Sequence, residues 1–150
     1  MVAKFVRRSP DPFHRGQTTT VVQYLSEEWV NAVHETASSS PSVRKSAAAT
    51  TIGVTQQITI DGTVVFTYHL SADNGDVAFA LGAAEPEHVR FVQSRQTAVK
   101  VATGKLAAQE AFVTGKIKMS GDHQRLVDAQ PLFAALEAVF DRVRQHTEYQ

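Results

Sequence analysis

The chain has 150 residues, with 15 basic side chains, 15 acidic side chains and no cysteine. This length suits a single domain with a sizeable core, and without cysteine there is no disulfide, thiolate metal site, iron–sulfur cluster or cysteine nucleophile. Zero net charge argues against nucleic-acid binding through phosphates, because such surfaces carry a basic excess.

Charge is divided unevenly along the chain. Residues 1–25 carry four basic side chains and one acidic, whereas residues 26–150 carry 11 basic and 14 acidic. We predict that residues 1–22 form a flexible basic arm, which either folds over the acidic domain of residues 23–150 or tethers the protein to an anionic membrane or partner. No signal-peptide or membrane-spanning run is visible, so we expect a cytoplasmic protein.

The first regular elements are a helix and two strands. Ser26 can cap a helix whose apolar face is formed by Trp29, Val30, Val33 and Ala37. Residues 38–42 (Ser-Ser-Ser-Pro-Ser) predict a loop. Residues 52–60 and 64–70 then alternate with apolar even positions, which indicates two strands that share one buried face.

The length of the turn between these strands is predicted from the apolar residues, which have even numbers in both strands and must share one face. A two-residue turn at Asp61 and Gly62 would place even positions opposite odd ones and split the apolar faces. A three-residue turn with Gly62 left-handed in a bulge keeps them together. We therefore predict that Ile58 and Val64 are cross-strand neighbours.

The remaining elements form a mixed series. Residues 72–75 predict a four-residue hairpin loop, followed by a strand over 76–81 with Val77, Phe79 and Leu81 inward. Next come a strand over 89–93, two short helices over 97–103 and 107–114, and a strand over 116–120. The chain ends with a short helix capped by Asp122 and a last helix that begins at Pro131. The order predicts an α+β fold, a five-stranded, largely antiparallel sheet covered on one face by helices.

Catalytic motifs are missing. The six histidines have no metal-ligand spacing, no serine-hydrolase elbow occurs, and Gly104-Lys105 and Gly115-Lys116 lack the earlier glycine of a phosphate-binding loop. These patterns predict a protein that is not an enzyme and has no metal and no cofactor. An undetected enzyme would need polar groups brought together by folding, such as His69 near Asp76.

Apolar side chains are the more informative feature. Six of the eight phenylalanines fall on faces predicted to point inward, which indicates either a filled core or an apolar cavity. Gln56 interrupts the apolar face between Val54 and Ile58. It could lie at an open end of the sheet, bond the backbone or face the polar head of a ligand.

A family resemblance favours the cavity. Residues 107–122 (AAQEAFVTGKIKMSGD) combine an alanine–phenylalanine pair, a glycine–lysine strand and a glycine–aspartate stop. Together with VATGKL at 101–106, PLF at 131–133 and YLSEEW at 24–29, this order resembles the sterol carrier protein type 2 domain over about residues 24–147. The resemblance implies an apolar tunnel for fatty acids, acyl-CoA esters or sterols, and no catalytic residues.

The resemblance and the inferred faces together predict ten lipid-binding residues: Trp29, Phe66, Phe79, Phe91, Phe112, Met119, Leu132, Phe133, Leu136 and Phe140. The expected partner is a lipid, with transient membrane contact through a terminal helix, no nucleic acid, and a monomer or homodimer. The alternative is an interaction module on the same fold, with a filled core, that recruits a protein.

Overall fold

The structure is a computed structural model that describes residues 21–149. Of the predicted basic arm, residues 1–20 lie outside the described part, and Val22 already belongs to a strand. The elements in chain order are β1 (Val22–Gln23), α1 (Glu27–Ser38), α2 (Pro41–Ser46), β2 (Thr51–Ile60), β3 (Thr63–Asp73), β4 (Asp76–Leu81), β5 (Val89–Ser94), α3 (Arg95–Ala102), α4 (Ala108–Val113), β6 (Ile117–Gly121), α5 (His123–Asp128), α6 (Gln130–Arg144) and β7 (Thr147–Glu148).

Five strands form the main sheet in the order β4-β3-β2-β5-β6. Only the central pair, β2 and β5, is parallel, and the other neighbours are antiparallel. The short strands β1 and β7 form a separate parallel pair that joins the two ends of the described chain. The predicted α+β class and its largely antiparallel sheet are confirmed.

Helix α1 begins as the sequence predicts. The Ser26 hydroxyl accepts a hydrogen bond from the Trp29 amide at 3.2 Å, and the predicted apolar face is buried. The helix packs against the edge strand β4, where the Phe79 amide donates to Nδ1 of His34 at 3.1 Å. An edge strand leaves backbone groups unpaired, so this contact satisfies one of them and blocks pairing with another chain.

The loop predicted over residues 38–42 is limited to Ser39 and Ser40, which separate α1 from a second helix. Ser40 caps this helix, α2, by accepting a hydrogen bond from the Val43 amide at 3.3 Å, and Pro41 occupies the first turn. Serine followed by proline is a start signal for a helix, because proline lacks the amide that would stay unpaired there. Val43 then packs into the core.

The predicted three-residue turn between β2 and β3 is wrong. Ile60 pairs with Thr63, so Asp61 and Gly62 form a two-residue turn, and both have positive φ. Thr59 pairs with Val64 and Ile58 with Phe66, which leaves Val65 as an extra residue in β3. The bulge restores the shared apolar face beyond it but places Val64 on the other face, where it is 45% exposed.

The next hairpin is also tighter than expected. Asp73 pairs with Asp76, so the turn consists of Asn74 and Gly75 and has two residues rather than four. Both residues have positive φ, at 50° and 97°, which is the geometry that asparagine and glycine tolerate best.

Leu81 and Phe112 were also predicted to point inward and are exposed, as are Val64 and Ile60, which is 47% exposed. Leu81 lies on the apolar face by register, since it pairs with the buried Tyr68, but it stands at the uncovered end of the edge strand and is 45% exposed. Phe112 on α4 is 42% exposed, so the prediction that it points inward is wrong. Helix α4 has only six residues and buries Ala111 instead.

Candidate functional site

The helix-covered face of the main sheet, here called the inner face, carries its side chains in rows across neighbouring strands. The register defines three such rows. The upper row is Phe66-Ile58-Gln93-Ile117, the middle row is Tyr68-Gln56-Phe91-Met119, and the lower row is Leu70-Val54-Val89-Gly121. No described strand places a charged residue on this part of the face.

An aromatic cluster fills the inner face beneath α1 and α6. The ring of Trp29 lies edge-on to Tyr68 at 5.2 Å and stacks on Phe140 at 6.4 Å, and Phe140 lies edge-on to Phe79 at 5.9 Å. Trp29, Tyr68 and Phe79 are buried, whereas Phe140 is half-buried. These distances are those of directly packed rings, so the rings themselves fill the space between α1 and β3.

Burial also changes the acidity of two phenols. It raises the pKa of Tyr68 above the ordinary value, because the phenolate would lose its water there. Burial is likewise the main cause that raises the pKa of Tyr24, followed by the effect of Tyr68 and then of Tyr149. The Tyr24 hydroxyl donates to the carbonyl oxygen of Ala98 at 3.4 Å. Both phenols therefore stay protonated at neutral pH.

Packing is looser towards β5 and β6. Gln56, Phe91 and Met119 of the middle row are half-buried, although their neighbours Val89 and Ile58 are almost completely buried. Five of the predicted side chains are half-buried and pack against the buried core, namely Phe66, Phe91, Met119, Phe133 and Phe140. We call these five residues the inner-face apolar set. They are apolar and partly accessible to solvent.

The ten predicted residues thus divide into three groups. Four are buried in the core, namely Trp29, Phe79, Leu132 and Leu136. Five form the inner-face apolar set, and Phe112 stands apart on the surface. The fold brings nine of the ten into one continuous cluster, and their role in lipid binding stays a prediction.

Two glutamines occupy this apolar region. Nε2 of Gln93 donates to Oε1 of Gln56 at 3.4 Å. Oε1 of Gln93 is buried and has no hydrogen-bond partner among residues 21–149. Gln56 was predicted on this face from the sequence and Gln93 was not, although the alternation Val89, Phe91, Gln93 places Gln93 on the same face.

Two surface pockets lie elsewhere. A groove of about 720 Å³ runs between α1, α6 and β1 and is lined by Val22, Ala32, Val143, Glu28 and Glu35 among others. A polar pocket of about 270 Å³ lies between the start of β2 and α5. Neither pocket is lined by any of the ten predicted residues.

His69 and Asp76, the polar pair considered for an undetected active site, are not brought together. His69 pairs with Ala80 and bonds the carbonyl oxygen of Gly82 through Nδ1 at 2.9 Å, while Asp76 pairs with Asp73 at the other end of β4. Within the described part of the chain, no group of three or more histidine, aspartate or glutamate side chains is placed to hold a metal ion.

The fold defines a sheet-and-helix class of small domains with an apolar inner face, and comparisons with known proteins specify the family. A family model described as the SCP-2 sterol transfer family matches residues 30–134. The chain therefore belongs to the SCP-2 sterol transfer family. At the level of the family, the function is lipid binding and transfer.

Solved structures share the fold. A conserved hypothetical protein from Thermus thermophilus has a TM-score of 0.60 at 17% identity, with 87% of this chain and 94% of that chain covered. A crystal structure of sterol carrier protein 2 has a TM-score of 0.60 at 18% identity, covering 83% and 99%. Apo sterol carrier protein 2 from Yarrowia lipolytica has a TM-score of 0.57 at 16% identity, covering 77% and 88%.

No curated protein matches the sequence significantly. Across residues 21–149, no helix combines the length and the apolar character that crossing a bilayer requires.

Proposed function

We propose that this protein binds a lipid on its inner face and carries it without chemical change. The observation that supports the proposal is the inner-face apolar set, which is half-buried inside an otherwise tightly packed core. A lipid chain laid over these side chains would complete their burial. Membership of the SCP-2 sterol transfer family agrees with the proposal.

Affinity for the lipid tail follows from burial. Each methylene that leaves water contributes about 0.8 kcal/mol, and the half-buried rings of the set gain contacts as well. The ligands considered are fatty acids, fatty acyl-CoA esters and sterol-like lipids. All have an apolar part long enough to cross several strands, since neighbouring strands lie about 4.8 Å apart.

Transfer requires that the lipid leave the protein at a membrane. Two neighbouring residues on α4, Phe112 and Val113, are 42% and 75% exposed. Lys116 and Lys118, which follow on the chain, are exposed too. Apolar side chains beside cations are suited to brief contact with an anionic bilayer. We propose that α4 makes this contact.

Binding is tested with protein purified without detergent. Native mass spectrometry should detect a one-to-one complex with a cellular lipid, and added long-chain lipids should displace a fluorescent fatty acid. Met119→Gln should weaken displacement about fivefold, because it places an amide where the lipid tail lies. Val65→Thr, on an exposed residue of β3, is the matched control and should not change it. Absence of binding by every long-chain lipid would contradict the proposal.

A second candidate is the interaction module. It is favoured by the packed rings of Trp29, Tyr68 and Phe140 and by the surface groove between α1 and α6. This module would recruit a protein with its lipid site closed. Light scattering combined with affinity purification distinguishes the two, because only the module should give a stable complex with a partner while binding no lipid.

A further inference from the structure

We propose that Gln56 and Gln93 form a subsite for the alcohol group of a neutral lipid. The inference rests on the proposed function, since it names the head group that the inner face would recognise. It concerns two polar side chains in the centre of an apolar face, one of which has an unsatisfied buried acceptor.

The pair is placed by three strands. Gln93 on β5 lies between Ile58 on β2 and Ile117 on β6, and Gln56 lies between Tyr68 and Phe91 in the adjoining row. The 3.4 Å hydrogen bond therefore runs diagonally between rows. A buried amide oxygen without a partner is costly, and a bound donor would remove that cost.

The free atom defines the chemistry of its partner. An amide oxygen only accepts hydrogen bonds, so its ligand must donate one. An alcohol donates, whereas an ionised carboxylate only accepts and could not satisfy the free oxygen.

The surroundings give the tail its place. Phe91 and Met119 continue the middle row beyond Gln56, and both are half-buried. A lipid anchored by its alcohol at Gln93 would lay its chain over these side chains. The head would then be held inside the protein, rather than at a charged opening.

The experiment compares three probes of equal chain length, 1-tetradecanol, methyl tetradecyl ether and tetradecanoate, by displacement of a neutral fluorescent lipid. The protein should bind the alcohol about tenfold more tightly than the ether, which lacks the donor, and more tightly than tetradecanoate. Gln93→Met keeps the length of the side chain and should abolish the preference for alcohol while leaving the ether unchanged. Gln57→Met is the control, because Gln57 lies on the opposite face, paired with Thr67 and Val92.

The outcomes separate the two proposals. Equal binding of alcohol and ether, tighter binding of tetradecanoate, or a preference that survives Gln93→Met would overturn the subsite and leave lipid binding intact. Loss of the preference in Gln57→Met would also overturn it. Failure of all three probes to bind would overturn the subsite, and failure of every long-chain lipid in the displacement assay would overturn the proposed function itself. If Gln93→Met does not fold, the binding of alcohol and ether by the unmodified protein still tests the subsite.

Discussion

The amide of Phe79 in the edge strand β4 donates to Nδ1 of His34 on helix α1 at 3.1 Å. The same strand is held again by Ser38, whose hydroxyl donates to the carbonyl oxygen of Val77 at 3.4 Å. Helix α1 thus closes an edge that would otherwise be open to another chain, and it fixes Trp29 above the sheet.

His34→Ala should therefore destabilise the domain. The change leaves a partly buried backbone amide unpaired, for which we expect a loss of about 1–3 kcal/mol in the free energy of unfolding. Urea unfolding measures it. His123→Ala, on an exposed residue of α5, is the control, and an equal effect of both changes would contradict the assigned role.

Thr55→Val should loosen the segment between β4 and β5. The buried Thr55 hydroxyl accepts a hydrogen bond from the Ala84 amide at 3.0 Å, and valine has the same shape without the acceptor. We expect a loss of about 1–3 kcal/mol and faster hydrogen exchange of the Ala84 amide. Thr55→Ser keeps the hydroxyl, so protection of this amide should persist. Equal exchange rates in the two variants would be inconsistent with the bond.

Stability should fall in alkaline solution because of the buried phenols. The unfolded chain releases tyrosine protons near pH 10.0, whereas burial keeps the pKa of Tyr24 and Tyr68 higher in the folded state. Above pH 10.0 the folded state therefore holds more protons, and the free energy of unfolding decreases as pH rises. Below it, this contribution is fully present.

Urea unfolding at pH 8 and at about pH 10.5 tests this sign. Tyr68→Phe should reduce the loss between the two conditions, because phenylalanine has no proton to release. Tyr149→Phe should reduce it less, since burial also raises the pKa of Tyr149 but this residue is less buried. A Tyr68→Phe protein with the same pH dependence as the unmodified protein would show that Tyr68 is not buried.

Phe112→Ser should slow lipid transfer without weakening lipid binding. The exposed ring lies outside the inner-face apolar set, and we propose that it touches the membrane. Transfer between anionic vesicles should become severalfold slower, and equilibrium displacement should stay unchanged. Val127→Ser, on an exposed residue of α5, serves as the control. Equal loss of binding and of transfer would place Phe112 in the lipid site instead.

The long elements could be predicted from the sequence, but helix α2, the short strands β1 and β7 and the turns could not. Periodicity predicted α1, all five strands of the main sheet and the apolar stripe of α6, because burial imposes the spacing directly. The two-residue Asp61-Gly62 turn was not predicted because two different turns can bring the apolar residues of both strands onto one face. A longer turn and a two-residue turn with a bulge at Val65 both restore the shared face, and the local preference of Asp-Gly for positive φ decides between them.

The candidate site was predicted only in part for a similar reason. Alternation along a strand shows on which face of the sheet a side chain lies. It does not show how far that side chain is buried, because burial depends on helices that are distant in the sequence. Phe91 and Phe79 both point to the inner face, but only Phe79 lies beneath α6 in contact with Phe140. The pairing of Gln93 with Gln56 depends on the parallel register of β2 and β5, which no local pattern encodes.

Met119 offers the most direct test of whether the inner face holds a lipid. The chain has two methionines, Met1 and Met119, so ¹³C-methyl labelling gives one signal from the middle row and one internal reference. Titration with a long-chain lipid should shift the Met119 methyl resonance saturably at one equivalent and leave that of Met1 in place. A Met119 resonance that does not move while lipid is demonstrably bound, or no bound lipid at any concentration, would contradict lipid binding on the inner face.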